Sequence, residues 1–339
     1  MSNLETAPAE LACTGAEAEL ERGRVLDARE VPLGGPRAMT VRRTLPLGDP
    51  RAMTVRRTLP QRAQSLIGAW CFVDHYGPDD VAATGGMRVA GHPHTGLQTV
   101  SWLFSGEVEH SDTTGAHAYV RPGELNLMTA GSGIAHSEYS TPDTSVLHGA
   151  QLWVALPERD RFVDAGFESY LPPVLEPEGA RVLVFLGSLL GHTSPVRTYS
   201  PLLGADVTVA AGRTLRLDVD PAFEHGVLVD SGVVTTAGVS ASQGQLVYAG
   251  ARQLTIEASA GAAARVLLLG GEPLGEQLVM WWNFIGRSHE EIVTFREEWE
   301  QERTHSARSA PGRYGRFPKA WQETLPAPDL PNTRLRLRG

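Results

Sequence analysis

The sequence predicts an all-β protein built from two tandem β-domains, each a sandwich or barrel, followed by one helix near the chain's end. Short β-branched or aromatic runs alternate with glycine turns from about residue 60 to 172, most clearly in LQTVSWLFSG, HAYVRPGELNLMTAGSG and VLHGAQLWVALP. Strands of that length and spacing belong to sandwiches and barrels. A second such series, RVLVFLG, ADVTVAAG, RTLRLDV, HGVLVDSGVV, GQLVYAG, RQLTIEA and ARVLLLGG, ends near Gly271. The 36 glycines and 23 prolines favour many short elements joined by turns.

Taken in order, residues 1–24 form an acidic tail without the basic and apolar regions of a secretory leader. PLGGPRAMTVRRTLP (32–46) is then repeated as PLGDPRAMTVRRTLP (46–60), differing only at Gly35 against Asp49. Two copies of so short a unit do not make a solenoid. They read as a tandem duplication tolerated in a surface loop, with the second copy expected to occupy the native strand because it runs directly into QRAQSLIGAWCFVDHYGP. Residues 25–172 are assigned to the first domain, 173–182 to a linker that takes in most of the proline-rich PPVLEPEGA stretch (172–180), and 183–272 to the second domain. In the remaining segment, 273–339, Ser288 and Glu291 match a capping box, and Ile292, Phe295 and Trp299 form one apolar stripe at helical spacing.

The 339 residues suit two domains, and 42% hydrophobic with 20% charged residues suit packed globular ones. A formal charge of −9 argues against a nucleic-acid groove as the main surface. No uninterrupted apolar run reaches the ~18 residues of a membrane span. Cys13 and Cys71 cannot form a disulfide framework, so a reducing cytoplasm is expected.

The chemistry is expected in the first domain, which holds His75, His92, His94, His110, His117, His136 and His148. On a strand, His92-Pro93-His94 presents both imidazoles on one face, because side chains alternate. Pro93, pointing the other way, suits a strand start or edge. His136-Ser137-Glu138 repeats this spacing after the Gly131-Ser-Gly133 turn. Either pair alone reads as well as hydrogen-bonded strand residues. Were the two strands neighbours with these faces inward, three imidazoles and a carboxylate would converge, a donor set that suits a divalent first-row metal with positions to spare. The glycine turn lacks a third glycine and a βαβ context, which rules out a dinucleotide fingerprint.

The motif Gly86-x5-His92-x-His94-x3-Gln98-x7-Gly106 resembles the first cupin motif, with Gln98 where many cupins carry a glutamate ligand. Gly133-x2-His136, with Glu138 two residues on, resembles the second. That rearrangement resembles the pirin family. VRRTLPQR, CFVDHYGP, HPHTGLQTV, LMTAGSGIAHSE, LLLGGEPL and LPAPDLP extend the likeness over roughly residues 50–339. The resemblance implies two tandem cupin-type jelly-roll β-barrels or sandwiches with the C-terminal helix packed on them. It also implies a metal held by His92, His94, His136 and Glu138, iron(II) by family expectation, with manganese, cobalt, nickel and copper as alternatives. Tyr139 stands where pirins often have methionine, and Trp281-Trp282-Asn283-Phe284 replaces a more usual glycine-proline-phenylalanine stretch. The duplicated segment has no counterpart in the family.

The other candidates receive plainer roles. His75 is expected to support the pocket or a turn, and His110 and Asp112 either lie behind the ligands or cap a solvated strand end. His117 and His148 read as ordinary surface or core positions. His225 lacks a partner motif, so the second domain is expected to be metal-free. Arg42, Arg43, Arg56 and Arg57 read as a solvated basic face.

Two functions follow from the resemblance. The first is a dioxygenase that takes a small aromatic enediol or flavonol such as quercetin together with O2, as some pirins do, with Glu138 as ligand and as base for the 3-hydroxyl proton. The second is an iron-containing, redox-responsive partner of a transcription or metabolic protein. An open apolar pocket favours the enzyme. A site plugged by Trp102 or Phe104 favours the partner role.

Overall fold

The computed structural model describes residues 23–32, 53–250, 253–304 and 311–337. It contains two β-domains of matching design, each a seven-stranded antiparallel sheet facing a four-stranded one. In the first domain the large sheet runs Gly166–Tyr170, Leu125–Thr129, Leu97–Ser105, Val146–Ala155, Trp70–Asp80, Thr54–Leu59 and Arg29–Pro32. Its small sheet runs Arg88–His94, Ile134–Ser140, Val108–Asp112 and His117–Val120. The strand Thr54–Leu59 belongs to the second copy of the repeat, while the matching stretch of the first copy lies outside the described residues.

The apolar runs are nearly continuous because the two large sheets are buried on both faces. On one face of the second domain's sheet, Val227 and Val229 fill that domain's own core. On the other face, Leu228, Leu246, Leu267 and Leu269 meet Trp70, Val100, Trp102 and Leu152 of the first domain in one interdomain core. Indole donors in this layer find acceptors across it, as buried N–H groups require. Trp70 Nε1 donates to the carbonyls of Leu203 (3.2 Å) and Gly270 (3.1 Å), and Trp102 Nε1 to Asp206 (3.0 Å).

The chain ends cross over. Arg24–Leu26 pairs with Leu246–Gly250 in the second domain's sheet. After Gly271 the chain returns to the first domain, where the hairpin Val279–Trp281/Phe284–Gly286 and the helix His289–Thr304 pack with Ala135 of the small sheet in one aromatic cluster. The capping expectation holds at Ser288, whose Oγ accepts the Glu291 N–H at 3.2 Å. The Glu291 carboxylate accepts the Arg287 N–H (2.7 Å) and a two-pronged contact from Arg161 (2.8 and 2.9 Å). Ile292, Phe295 and Trp299 are the buried stripe.

The basic face is corrected at two positions. Arg57 is buried, donates twice to Asp74 (2.7 and 2.8 Å) and lies over the Phe72 ring. Arg56 is half-buried against His75. Both sit on Thr54–Leu59, an inner strand with a neighbour on each side, which leaves little open solvent for either guanidinium. Arg42 and Arg43 lie outside the described residues. No helix among the described residues is long and apolar enough to cross a membrane.

Candidate metal centre

Three adjacent strands of the first domain's small sheet each present a polar pair at i, i+2 spacing. Ile134–Ser140 is central, with Arg88–His94 on one side and Val108–Asp112 on the other. The register sets His136 opposite both His92 and Asp112, and Glu138 opposite His110. Against Arg88–His94 the register slips between His136 and Glu138, a bulge at Ala90–Gly91 of the kind that re-aims side chains near sites. The approach to His136 needs Gly131, whose φ is +51° and whose would-be Cβ would stand 1.8 Å from the Val163 carbonyl oxygen.

His92, His94 and His136 form one buried group whose ligand atoms all lie within 4.8 Å of one another. His94 Nε2 and His136 Nε2 are 3.1 Å apart. His92 Nδ1 faces the Ala90 carbonyl at 2.9 Å and must donate to it, which leaves the Nε2 lone pair free. That Nε2 is buried and has no hydrogen-bond partner among the described residues. Burial pushes the His92 imidazole down to about 4. Burial, followed by the neighbouring His92, holds His94 and His136 well below the ordinary imidazole value. Three neutral imidazoles converging on one point, one with an orphaned lone pair, fit a divalent transition metal.

Glu138 joins a second buried group with His110 and the shared His136. Its Oε1 is 3.5 Å from Ser101 Oγ, which lies 2.8 Å from Gln151 Oε1. Phe72 and Trp153 stack with ring centroids 4.0 Å apart, and Trp153 meets His94 edge-on at 5.2 Å, so an aromatic wall borders the imidazoles. All four predicted ligands are at most 2% exposed.

Other expectations shift. Gln98, placed by motif likeness at a ligand position, faces away from the imidazoles, with its Nε2 donating to Thr129 Oγ1 (2.9 Å) and the Arg197 carbonyl (3.3 Å). Gly96, with φ of +70°, turns the chain between the two strands, so strand parity does not carry over from His94. Ser101, three residues on, is the side chain of that strand that reaches Glu138. Trp102 and Phe104 do not plug the site, since both belong to the interdomain core.

His110 and Asp112 lie behind His136. His110 Nδ1 is 3.3 Å from His136 Nδ1, and His110 Nε2 is 3.0 Å from Asp112 Oδ2. Although burial opposes it, hydrogen bonds from His110 and Thr114 hold the Asp112 carboxyl below the usual range. EHSD carries the same i, i+2 signal as HPH and HSE, and the third strand's adjacency gives it meaning. His117 is exposed and pairs with Glu109.

A further group of His75, His148 and Asp230 spans the two domains. Arg56 donates to His75 Nδ1 (3.1–3.2 Å), so Nε2 carries the proton and donates to Asp230 Oδ1 at 2.9 Å. His148 Nε2 reaches the same oxygen at 2.6 Å, and Arg265 reaches Oδ2 at 2.6 Å. With the His75 lone pair turned toward Arg56, this group is an interdomain ionic clamp. Sequence reading missed it because its members come from strands 70–80, 146–155 and 224–231.

Two family models match, Pirin over residues 52–154 and the Pirin C-terminal cupin domain over 204–305. A Pseudomonas aeruginosa protein provisionally named a quercetin 2,3-dioxygenase is 41% identical over 271 residues, covering 80% of this chain and 84% of that protein. A pirin-like protein of Caulobacter vibrioides is 33% identical, covering 70% and 85%. The crystal structure of a quercetin 2,3-dioxygenase from Acinetobacter baumannii superposes with a TM-score of 0.81 at 34% identity, covering 94% of this chain and 99% of that one.

Proposed function

The chain belongs to the pirin family, and from that premise we propose that it is a metal-dependent dioxygenase that opens the central ring of a flavonol such as quercetin. The observation that carries the reading is the convergence of His92, His94 and His136 beside Glu138 within an aromatic-walled barrel. The similarity to proteins named quercetin 2,3-dioxygenases supports the substrate class.

His92, His94, His136 and Glu138 would hold one divalent ion, iron(II) first among the candidates. When bound, the metal would supply Lewis-acid polarisation of a substrate oxygen. The protein's own part is positioning and proton handling. Trp153, stacked on Phe72, packs edge-on against His94 and backs that imidazole with a rigid apolar wall. Glu138 takes the proton of the flavonol 3-hydroxyl. Ser101 Oγ borders that carboxylate at 3.5 Å from Oε1, with its single proton directed to Gln151 Oε1 at 2.8 Å.

The test is anaerobic loading of the metal-free protein with iron, manganese, cobalt, nickel or copper, followed by quercetin and O2. Loss of one quercetin with release of one carbon monoxide is the expected result. Absence of carbon monoxide with every metal would overturn the reading and favour the redox-responsive binding protein.

A further inference from the structure

We infer that His110 and Asp112 are positioning residues that fix the tautomer and ring orientation of His136. This rests on His136 serving as a ligand through Nε2, the nitrogen that faces His94 Nε2 at 3.1 Å. A neutral imidazole that offers its Nε2 lone pair must carry its proton on Nδ1. His136 Nδ1–H therefore points at His110 Nδ1, 3.3 Å away, which must accept. That places the His110 proton on Nε2, where it is donated to Asp112 Oδ2 at 3.0 Å.

The relay ends at Asp112. Its other oxygen, Oδ1, accepts from Thr114 N (2.8 Å), Thr114 Oγ1 (2.6 Å) and Ala116 N (3.2 Å), so the carboxylate is pinned by the turn that follows its strand. Every hydrogen bond in the series has one permitted direction. Phe167 stacks on the His110 ring at 4.5 Å and 25°, which restrains its plane as well. His110 turns one nitrogen to His136 Nδ1 and the other to the Asp112 carboxylate, whereas His136 turns its Nε2 toward His94 within the group of three imidazoles.

Asp112→Asn should break the relay without removing volume. The three donors at Oδ1 claim the amide oxygen, so the amide NH2 faces His110 Nε2. His110 then moves its proton to Nδ1, and His136 Nδ1 can no longer keep its own. An aspartate-to-asparagine change elsewhere is known to act through such a wrong tautomer.

The test is nickel(II) binding by the metal-free protein in competition with a chelator, together with nitrogen-15 imidazole NMR. Asp112→Asn should weaken nickel binding by roughly 10–100-fold and move the His110 proton from Nε2 to Nδ1. His110→Leu should weaken binding as much, whereas His110→Gln should stay within about fivefold of the parent, because its oxygen accepts from His136 while its amide donates to Asp112. The double variant Asp112→Asn/His110→Leu should be no weaker than either single one. Nickel affinity of Asp112→Asn within about twofold of the parent, or His110→Gln falling as far as His110→Leu, overturns the inference. Should Asp112→Asn fail to fold, the glutamine and leucine pair decides. His92→Ala run in parallel separates the two readings. If it retains nickel at parental affinity, the metal site itself is wrong, and if it loses nickel while Asp112→Asn keeps it, only the relay falls.

Discussion

His92 and His94 are one residue apart, yet their rings are held by different means. A backbone carbonyl across a bulge fixes His92, and the edge of Trp153 borders His94. Deleting a proposed ligand should therefore cost metal binding far more than folding. His92→Ala or Glu138→Ala should abolish metal retention, measured by metal analysis after desalting, with the metal-free melting temperature changed by only a few degrees. Arg57 and Asp74 should behave oppositely. Asp74→Ala removes the carboxylate that answers a buried guanidinium and should lower the unfolding free energy by about 3–5 kcal/mol in denaturant titrations. The two dyads proposed to hold the metal are legible as pairs in the sequence because spacing of two on a strand fixes a shared face. The Arg57–Asp74 pair is not, since its two residues come together only through strand pairing.

At the scale of elements, the small sheet turns three separate dipeptide signals into one cluster. HPH, HSE and HSD each have the same spacing, and the pairing of Ile134–Ser140 with a strand on either side sets them edge to edge. The late helix was legible at its start and along its buried stripe because both signals are local. Ser288→Ala should cost about 1 kcal/mol through the lost bond to the Glu291 N–H, read as a shift in denaturation midpoint at constant slope. The same window could not tell where the helix docks. It lies with the hairpin on the first domain, although the second domain precedes it in sequence.

Across the whole molecule, two large sheets share one apolar layer, and the only buried ionic clamp described within that layer centres on Asp230. Against the cost of burial, hydrogen bonds from His148 and His75 hold its carboxyl far below the usual carboxylate range. A depressed carboxylate contributes stability that is present above the unfolded value of about 4 and lost as pH falls toward the folded one. Asp230→Asn should flatten the fall in stability below about pH 4, followed by urea titration across pH. His225 makes a second, separable contribution. Burial pushes its imidazole down to about 4, so the stabilisation is complete above the unfolded value of 6.5 and fades as pH drops toward 4. Between pH 7 and 5 this amounts to about 2 kcal/mol, and His225→Leu should remove that share of the slope.

The sequence by itself determined what depends on periodicity: an all-β chain, one late helix, and the shared face of His92 with His94 and of His136 with Glu138. Those features follow from alternation and helical spacing within a few residues. Only the tertiary structure decided that Gln98 faces away from the imidazoles, that Arg56 and Arg57 are drawn inside, that His75 and His148 clasp Asp230 across the domains, and that His110 and Asp112 stand behind His136. Each of those depends on which strands become neighbours and how the chain turns between them, and the long-range packing of apolar faces settles both.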